Sequence, residues 1–522
     1  MNQLFTRKPI ADLIPEAEHT GLKRSLNKWH LTALGVGATI GAGIFATTGT
    51  AIVGECLLPG AIQATCRAGA GPSIILSFIL TAVACGFAAL CYAEFAAMVP
   101  ISGSAYTYSY ASLGELVAWI IGWDLIVEYA VGNIGVAISW AGYFRELLSH
   151  FGIAIPAWLA TDYRSAFEAA ANVAAGATDA VSLYVASAVD LAPRLAGVPI
   201  IFNLPAFLVV MAITVVLVIG VRESANTNNA MVILKIGLIL FFIAVGVFLI
   251  KPENWTSHAL VPGGSGFAPY GFRGISTGAA IIFFSYIGFD AVSTASEEAI
   301  DPAKDMPFGI IASLIICTVL YIALSVVMTG MAPWTTLGTA EPMLTALQFS
   351  GGPEKLVAFS RFVISLGAVI AMGSVLLVFQ MGQPRIFYSM ARDGLLPPFI
   401  AKVHPKYRTP WVGTILTGIF VGVFAAVANI HEVVDLTNIG TLFAFILVSL
   451  GVIILRVKEP GRGRPFRVWG SPITPLISIF SCFYLMYKLP LITWIRFGAW
   501  LAIGLVIYFA YGIRHSKLRQ PK

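Results

Sequence analysis

Apolar residues in this chain run continuously instead of alternating. After a polar opening segment, uninterrupted apolar stretches recur down the whole length, separated by short polar connections. Runs of roughly 20 apolar residues are long enough to cross a bilayer as helices. Transmembrane barrels instead require alternating polar and apolar positions. The pattern predicts an all-α polytopic membrane protein with twelve spans, near 30–54, 72–97, 114–144, 203–221, 227–250, 274–299, 307–330, 357–384, 411–429, 436–456, 473–489 and 494–512. Residues 1–28 are polar and carry Arg7, Lys8, Lys23, Arg24 and Lys28, so no cleavable secretory signal is expected there.

Composition agrees with that pattern. Of 522 residues, 58% are hydrophobic and 11% charged. Soluble domains carry about 25% charged residues, so a soluble enzyme, a disordered chain and a nucleic-acid binder are all excluded. The distribution of Lys and Arg then orients the chain. With both termini inside, the inner segments hold 21 basic residues and the outer ones 10. The positive-inside rule therefore predicts cytoplasmic termini in a cell-membrane protein. The Ala-rich stretch 147–202 contains Asp162, Arg164, Glu168, Asp179, Asp190 and Arg194 and reads as an outer loop with short amphipathic helices. One further span there would invert everything after it.

Two spans look broken. The first contains Gly35, Gly37, Gly41 and Gly43 within nine residues. Each glycine costs a helix about 1 kcal/mol relative to alanine, which favours unwinding at Gly41–Gly43, with close helix packing as the alternative. The sixth reads Phe283-Phe284-Ser285-Tyr286-Ile287-Gly288-Phe289-Asp290, a glycine among aromatics followed by an acid. Interruptions in spans one and six occupy corresponding places in two five-span halves. That is the pattern of an inverted-repeat transporter with a midplane site. An unwound segment offers N–H groups to a carboxylate and carbonyls to an ammonium, the two ends of a zwitterion.

Residues 37–45 (GATIGAGIF from Gly37) resemble the first-helix motif of the amino acid–polyamine–organocation transporter superfamily. SGSAYTYSYASLGE (102–115), GWDLIVEY (122–129), FFSYIGFDAVSTASEEAIDPAKDMPFGI (283–310) and GQPRIFYSMARDGLLP (382–397) resemble its cationic amino acid transporter branch. The resemblance spans about 25–510 and implies a five-plus-five inverted-repeat core with discontinuous helices 1 and 6. The divisions it implies are 1–29 as a cytoplasmic segment, 30–456 as the transport core, 457–512 as a cytoplasmic loop with helices 11 and 12, and 513–522 as a tail. It implies L-amino acid transport by alternating access, proton-coupled, with exchange or a non-transporting sensor as alternatives. The partners are then the amino acid, protons and the lipid bilayer; no nucleic acid, cofactor or metal is expected, and oligomeric state is left open. The chain has twelve spans, without the extra helix pair of the branch's animal members, so a bacterial origin is expected.

Carried over residue by residue, the resemblance assigns substrate contacts to the backbone at Ile40, Gly41, Ala42, Gly43 and Ile44, and to Phe284, Ser285 and Ile287. Lys235 matches the fifth-helix lysine of proton-dependent members. It lies about 12 Å inside its span at 1.5 Å per residue, and its carbonyl partners are expected near Gly37 and Ile40. Ser374 holds an eighth-helix hydroxyl position beside it, with Gly373 where the family often has threonine. Glu128 and Asp290 are expected to serve gating or specificity. The bland alternatives are snorkelling for Lys235 and interhelical polar contact for Glu128.

Four cysteines (Cys85, Cys91, Cys317, Cys482) fall in spans. Cys56 and Cys66 share the first outer loop, where a disulfide would persist; two free thiols are the alternative. Gly274-Ile275-Ser276-Thr277-Gly278 fits a nucleophile-elbow pattern but opens a transmembrane helix and has no strand-turn-helix setting. With no nucleophile, metal or ATP-binding constellation, an enzyme or primary pump is not expected. Asn254-Trp255-Thr256 matters as a sequon only in a glycosylating host. Arg462, Arg464 and Arg467 read as topology-setting charges, with anionic-lipid contact as the alternative.

Overall fold

The computed structural model describes residues 2–9, 24–56, 66–99, 101, 104–174, 176, 180–220, 225–256 and 264–519. Residues 57–65 of the first outer loop, Ser102, Arg222, Asp179 and the side chain of Cys56 lie outside them. Helices occupy all twelve apolar stretches. The first span is two helices, α1 (Lys28–Thr39) and α2 (Thr48–Val53), joined by a π-helical turn, Gly43–Thr47. Next come α3 (Ile74–Met98), the connector helix α4 (Ser104–Ser112), and the third span. The third span consists of α5 (Glu115–Ile126), a π-segment at Val127–Val131 and α6 (Gly132–Ser149).

The Ala-rich loop folds into α7 (Tyr163–Ala174) and α8 (Ala180–Leu191), 12 residues each and too short to span. It is pinned to the far half of the chain by Arg164, 2.5 Å from Glu432, and by Asn429, 3.1 Å from the Ser165 hydroxyl. The remaining helices are α9 (Leu204–Ile219), α10 (Ala225–Val247), α11 (Gly271–Ile282), α12 (Pro302–Met331), α13 (Pro342–Phe349), α14 (Glu354–Arg392), α15 (Trp411–Val427), α16 (Ile430–Lys458), α17 (Ile473–Tyr487) and α18 (Leu491–Ile507).

Among the described residues, eight helices are long and apolar enough to cross a membrane, and α1 with α2 makes a ninth, bent by 40°. Helices α9, α15 and α17 are apolar but shorter, at 16, 17 and 15 residues. The surface is apolar where a soluble protein would be charged: Phe248, Ile233 and Val506 are 88%, 71% and 68% exposed. Hydroxyls, amides and carboxyls are buried instead, with Thr81, Ser325, Gln380, Asn438 and Asp290 fully enclosed. That inversion identifies a multi-pass membrane protein, in which lipid solvates the outside and polar groups must find partners within.

The inner packing follows from small residues and hydroxyls. Helix α3 packs along α12, and Ser77 and Thr81 donate to the carbonyls of Ile275 (2.8 Å) and Ala279 (3.0 Å) on α11. At one face of the bundle a two-stranded hairpin, β1 (Gly54–Cys56) with β2 (Cys66–Ala68), continues directly from α2. At the opposite end of the helices both chain tails converge on one surface. The Glu115 amide donates to Thr6 O (3.1 Å) and the Lys8 amide to Tyr110 O (3.2 Å), while the Lys517 amide donates to Asp393 O (3.0 Å). The Glu115 carboxylate is fully buried and accepts from Tyr508 (2.8 Å), Tyr110 (3.2 Å), Arg519 (2.9 Å) and the Ser516 hydroxyl. Nearby, Arg456 and Arg464 enclose Glu94, and Arg462 pairs with Glu459, so two of the three basic loop residues are engaged within the protein.

Candidate functional site

The site is built where the two broken spans cross. Helix α1 stops at Thr39 because Ile40 turns to φ −76°, ψ 94°, an extended conformation. The chain becomes helical again at Gly43 as a π-turn. In the sixth span α11 tightens into a 3-10 turn, Phe283–Tyr286, and breaks at Ile287 (φ −62°, ψ 133°) and Gly288 (φ +118°). Only glycine adopts that positive φ without strain. A 3-10 helix, Phe289–Glu298, then carries the chain onward.

The two breaks interlock through glycines. A Cβ on Gly43 would come within 2.7 Å of the Ser285 backbone nitrogen and closer still to its Cα. A Cβ on Gly288 would lie 2.8 Å from the carbonyl carbon of Ala38. Each approach is possible because one of the two partners is a glycine. The residues expected to contact substrate, Ile40, Gly41, Ala42, Gly43, Ile44, Phe284, Ser285 and Ile287, are thereby brought to one buried place. The restarting end of the first span presents backbone amides that have no carbonyl a turn earlier. The 3-10 turn and break that follow α11 carry the carbonyls of Phe284, Ser285 and Ile287. These are complementary to a carboxylate and an ammonium.

Several partners that hold the breaks open were not singled out from the sequence. Tyr321 donates to Thr39 O (3.0 Å) and Tyr143 to Phe45 O (2.7 Å). Asn438 donates to Ala280 O (2.8 Å) and Ile281 O (3.2 Å), occupying carbonyls at the end of α11. Tyr321 and Asn438 thereby satisfy carbonyls at the ends of the two interrupted helices. The signal that could have marked Asn438 is an amide inside an otherwise apolar span.

Lys235 lies on α10, whose neighbouring Ile233 faces outward, yet the lysine itself is fully buried. Its Nζ donates to Gly37 O at 2.5 Å, within the last turn of α1. The ammonium therefore points at the broken span and does not snorkel to an interface. Ser374 spends its hydroxyl on Ala371 O (2.9 Å), one turn back.

Glu128 sits in the π-segment of the third span and is buried. Its carboxyl lies within hydrogen-bonding reach of the Asp290 carboxyl, just past the Gly288 break. The Gly288 amide also donates to Asp290 (3.3 Å). One oxygen of each acid, and the buried hydroxyls of Tyr92 and Tyr129, have no hydrogen-bond partner among the described residues. Two carboxyls and two tyrosine hydroxyls thus form a buried polar cluster bordering the break. Asp124, one turn before Glu128, is buried against Gly440.

On the hairpin, Cys66 is disulfide-bonded and pairs in register with Cys56. Cys85, Cys91, Cys317 and Cys482 are free and buried. Arg67, on β2 opposite Glu55 of β1, contacts Glu55 and lies 3.0 Å from Asp435, while His431 is 2.9 Å from Glu55. Burial alone would raise the Glu55 carboxyl, but His431 and the Arg67 guanidinium outweigh it and hold it well below the usual carboxylate range.

A polytopic helical bundle with two interlocked broken spans and a buried lysine at the break defines a membrane permease. Residues 26–509 match the amino acid permease family, and the chain belongs to it. The methylthioribose transporter of Bacillus subtilis (strain 168) is 43% identical over 520 residues, covering all of both chains. The branched-chain amino acid permease BcaP of the same organism is 44% identical over 519 residues, or 99% of each. Human cationic amino acid transporter 4 is 29% identical across 98% of this chain and 90% of its own. The family is one of permeases, not enzymes.

Proposed function

We propose that this permease carries L-amino acids across the cell membrane by alternating access, as a proton-coupled symporter. The interlock of Gly43 with Ser285 and of Gly288 with Ala38 carries the reading, because it brings the two interrupted backbones together where an amino acid's two ends could be held. In the proposed cycle the substrate carboxylate takes the amides near Ala42–Ile44, and its ammonium takes the carbonyls of Phe284, Ser285 and Ile287. Protonated Lys235 holds Gly37 O and so braces α1 in one orientation. Loss of that proton removes the brace and frees the span to move. Glu128 and Asp290 act as the gate and as the acceptor for the substrate side chain.

We further propose twelve spans with cytoplasmic termini, α9, α15 and α17 being the short members, and a bridge between Cys56 and Cys66. The meeting of both tails on one surface supports an even number of crossings. The excess of basic residues on that side supports its cytoplasmic placement. The 30–456 core and the 457–512 addition belong to the same reading.

Uptake into proteoliposomes tests the function, over a panel of branched-chain and cationic amino acids together with methylthioribose. The expected result is saturable uptake of amino acids, driven by an inward proton gradient and indifferent to sodium. Uptake that requires sodium overturns the coupling, and binding without flux would make the chain a sensor. A second reading, exchange of one amino acid for another, predicts counterflow from preloaded vesicles with no response to the gradient. A preference for cationic substrates is expected from the unsatisfied oxygens of Glu128 and Asp290.

A further inference from the structure

A second cavity lies well away from the crossing of the broken spans. It has a volume of about 420 Å³ and is bounded by β2, the first turns of α11 and the turn between α17 and α18. Three cations line it: Arg67, Arg273 and Lys488. No carboxylate does. Arg67 is balanced from behind by Glu55 and Asp435, yet its Nε is buried with no acceptor among the described residues, and its side chain is only 9% exposed. Arg273 and Lys488 have no acidic partner among the described residues, and Lys488 rests over the rings of Tyr484 and Tyr487 at 5.3 and 5.8 Å. Two cations without an acidic partner among the described residues, around one hollow, make a receptor for an anion with several acceptor oxygens.

The surroundings say which anion. Tyr487 and Leu491 on the rim are 70% and 76% exposed, and Phe272, beside Arg273, is 67% exposed. Trp494 also lines the hollow, with its indole N–H held by Met486 O at 3.2 Å. Tyr and Trp gather at the membrane–water interface, where apolar flank and polar tip are both satisfied. From Tyr487, the exposed Phe483 and Phe480 continue down α17 toward the bilayer interior. A charged hollow at headgroup level that opens onto an apolar track matches an amphiphile with an anionic head.

We propose that this cavity seats the phosphate of an anionic phospholipid, with Arg273 and Lys488 taking its oxygens. The bound headgroup joins the hairpin that continues from α2 to the start of α11, so it ties the outer halves of both broken spans to the α17–α18 pair. Lipid occupancy would then set how readily those halves move. The binding claim itself is independent of which solute the permease carries.

Native mass spectrometry of the full chain from nanodiscs with equal phosphatidylglycerol and phosphatidylcholine tests it. Wild type should retain phosphatidylglycerol preferentially. The double variant Arg273→Gln/Lys488→Gln should lower that preference roughly 30-fold, the factor expected for two interfacial cations. Arg273→Lys/Lys488→Arg, which keeps both charges, should retain it and guards against a folding defect. Equal retention of the two lipids by wild type, or an unchanged preference in the glutamine variant, overturns the proposal. Inorganic phosphate and glycerol phosphate in detergent form the second arm and should not displace the lipid at millimolar concentration. Displacement there would identify a free phosphate anion as the ligand and overturn the lipid assignment.

Discussion

Gly43→Ala distinguishes helix propensity from backbone approach, because the two predict opposite signs. As a helix residue, alanine would stabilise the first span by about 1 kcal/mol. As a crossing point, the same methyl would sit 2.7 Å from the Ser285 backbone nitrogen, whereas unstrained heavy-atom contacts lie near 3.5–4.0 Å. One backbone must retreat by roughly 1 Å, and overpacking of a rigid site costs about 1–3 kcal/mol. The retreat also separates the amides of the first span from the carbonyls of the sixth. Thermal unfolding in detergent and amino acid uptake into proteoliposomes read the two effects separately. Gly43→Ala should unfold at lower temperature and lose at least about tenfold in uptake, since 1.4 kcal/mol at the site corresponds to a factor of ten. Gly237→Ala on α10 has nothing within 4 Å of its new Cβ and should keep wild-type uptake and stability or gain slightly. A Gly43→Ala protein with wild-type uptake and stability would refute the interlock.

Other consequences follow from the buried charges. Arg67→Ala leaves Glu55 and Asp435 without their guanidinium and should destabilise the protein by about 3–5 kcal/mol, read as a lowered unfolding temperature; an unchanged midpoint would show that the cluster is not structural. Glu55 is held below its ordinary value, so its contribution is complete above about pH 4.3 and is lost as pH falls below that. The unfolding temperature of wild type should therefore drop more steeply than that of Glu55→Gln on acidification below pH 5, and parallel curves would count against the assignment. Arg519→Ala removes a donor from buried Glu115 and should release the carboxyl-terminal tail to carboxypeptidase, followed by intact mass; a tail as resistant as wild type's would show that the other donors suffice.

Much of this arrangement is legible from residues alone. The helical spans follow from run length, and the breaks follow from Gly41, Gly43 and Gly288, whose low helix propensity shows without a partner. Lys235 stands out because a lysine within an apolar run needs an explanation. The partners are harder to read. Tyr321, Tyr143 and Asn438 are single polar residues on separate helices, and nothing local ties Asn438 to Ala280 or Tyr321 to Thr39. The crossing of Gly43 and Ser285 joins positions far apart in the chain, so periodicity within either span is silent about it. The π-segment at Val127–Val131 is also hidden, because its residues suit an ordinary helix. Docking of both tails beside Glu115 depends on a tertiary surface that polar terminal sequences do not advertise.

The brace between Lys235 and Gly37 O carries the coupling claim, and one comparison tests it. Wild type and Lys235→Met are reconstituted in sodium-free proteoliposomes, and both gradient-driven accumulation and counterflow at equal pH are followed. If the lysine carries the proton signal, wild type accumulates amino acid only under an inward proton gradient. Lys235→Met then retains amino acid binding but no longer responds to the gradient. Proton-driven accumulation by Lys235→Met equal to wild type would contradict it.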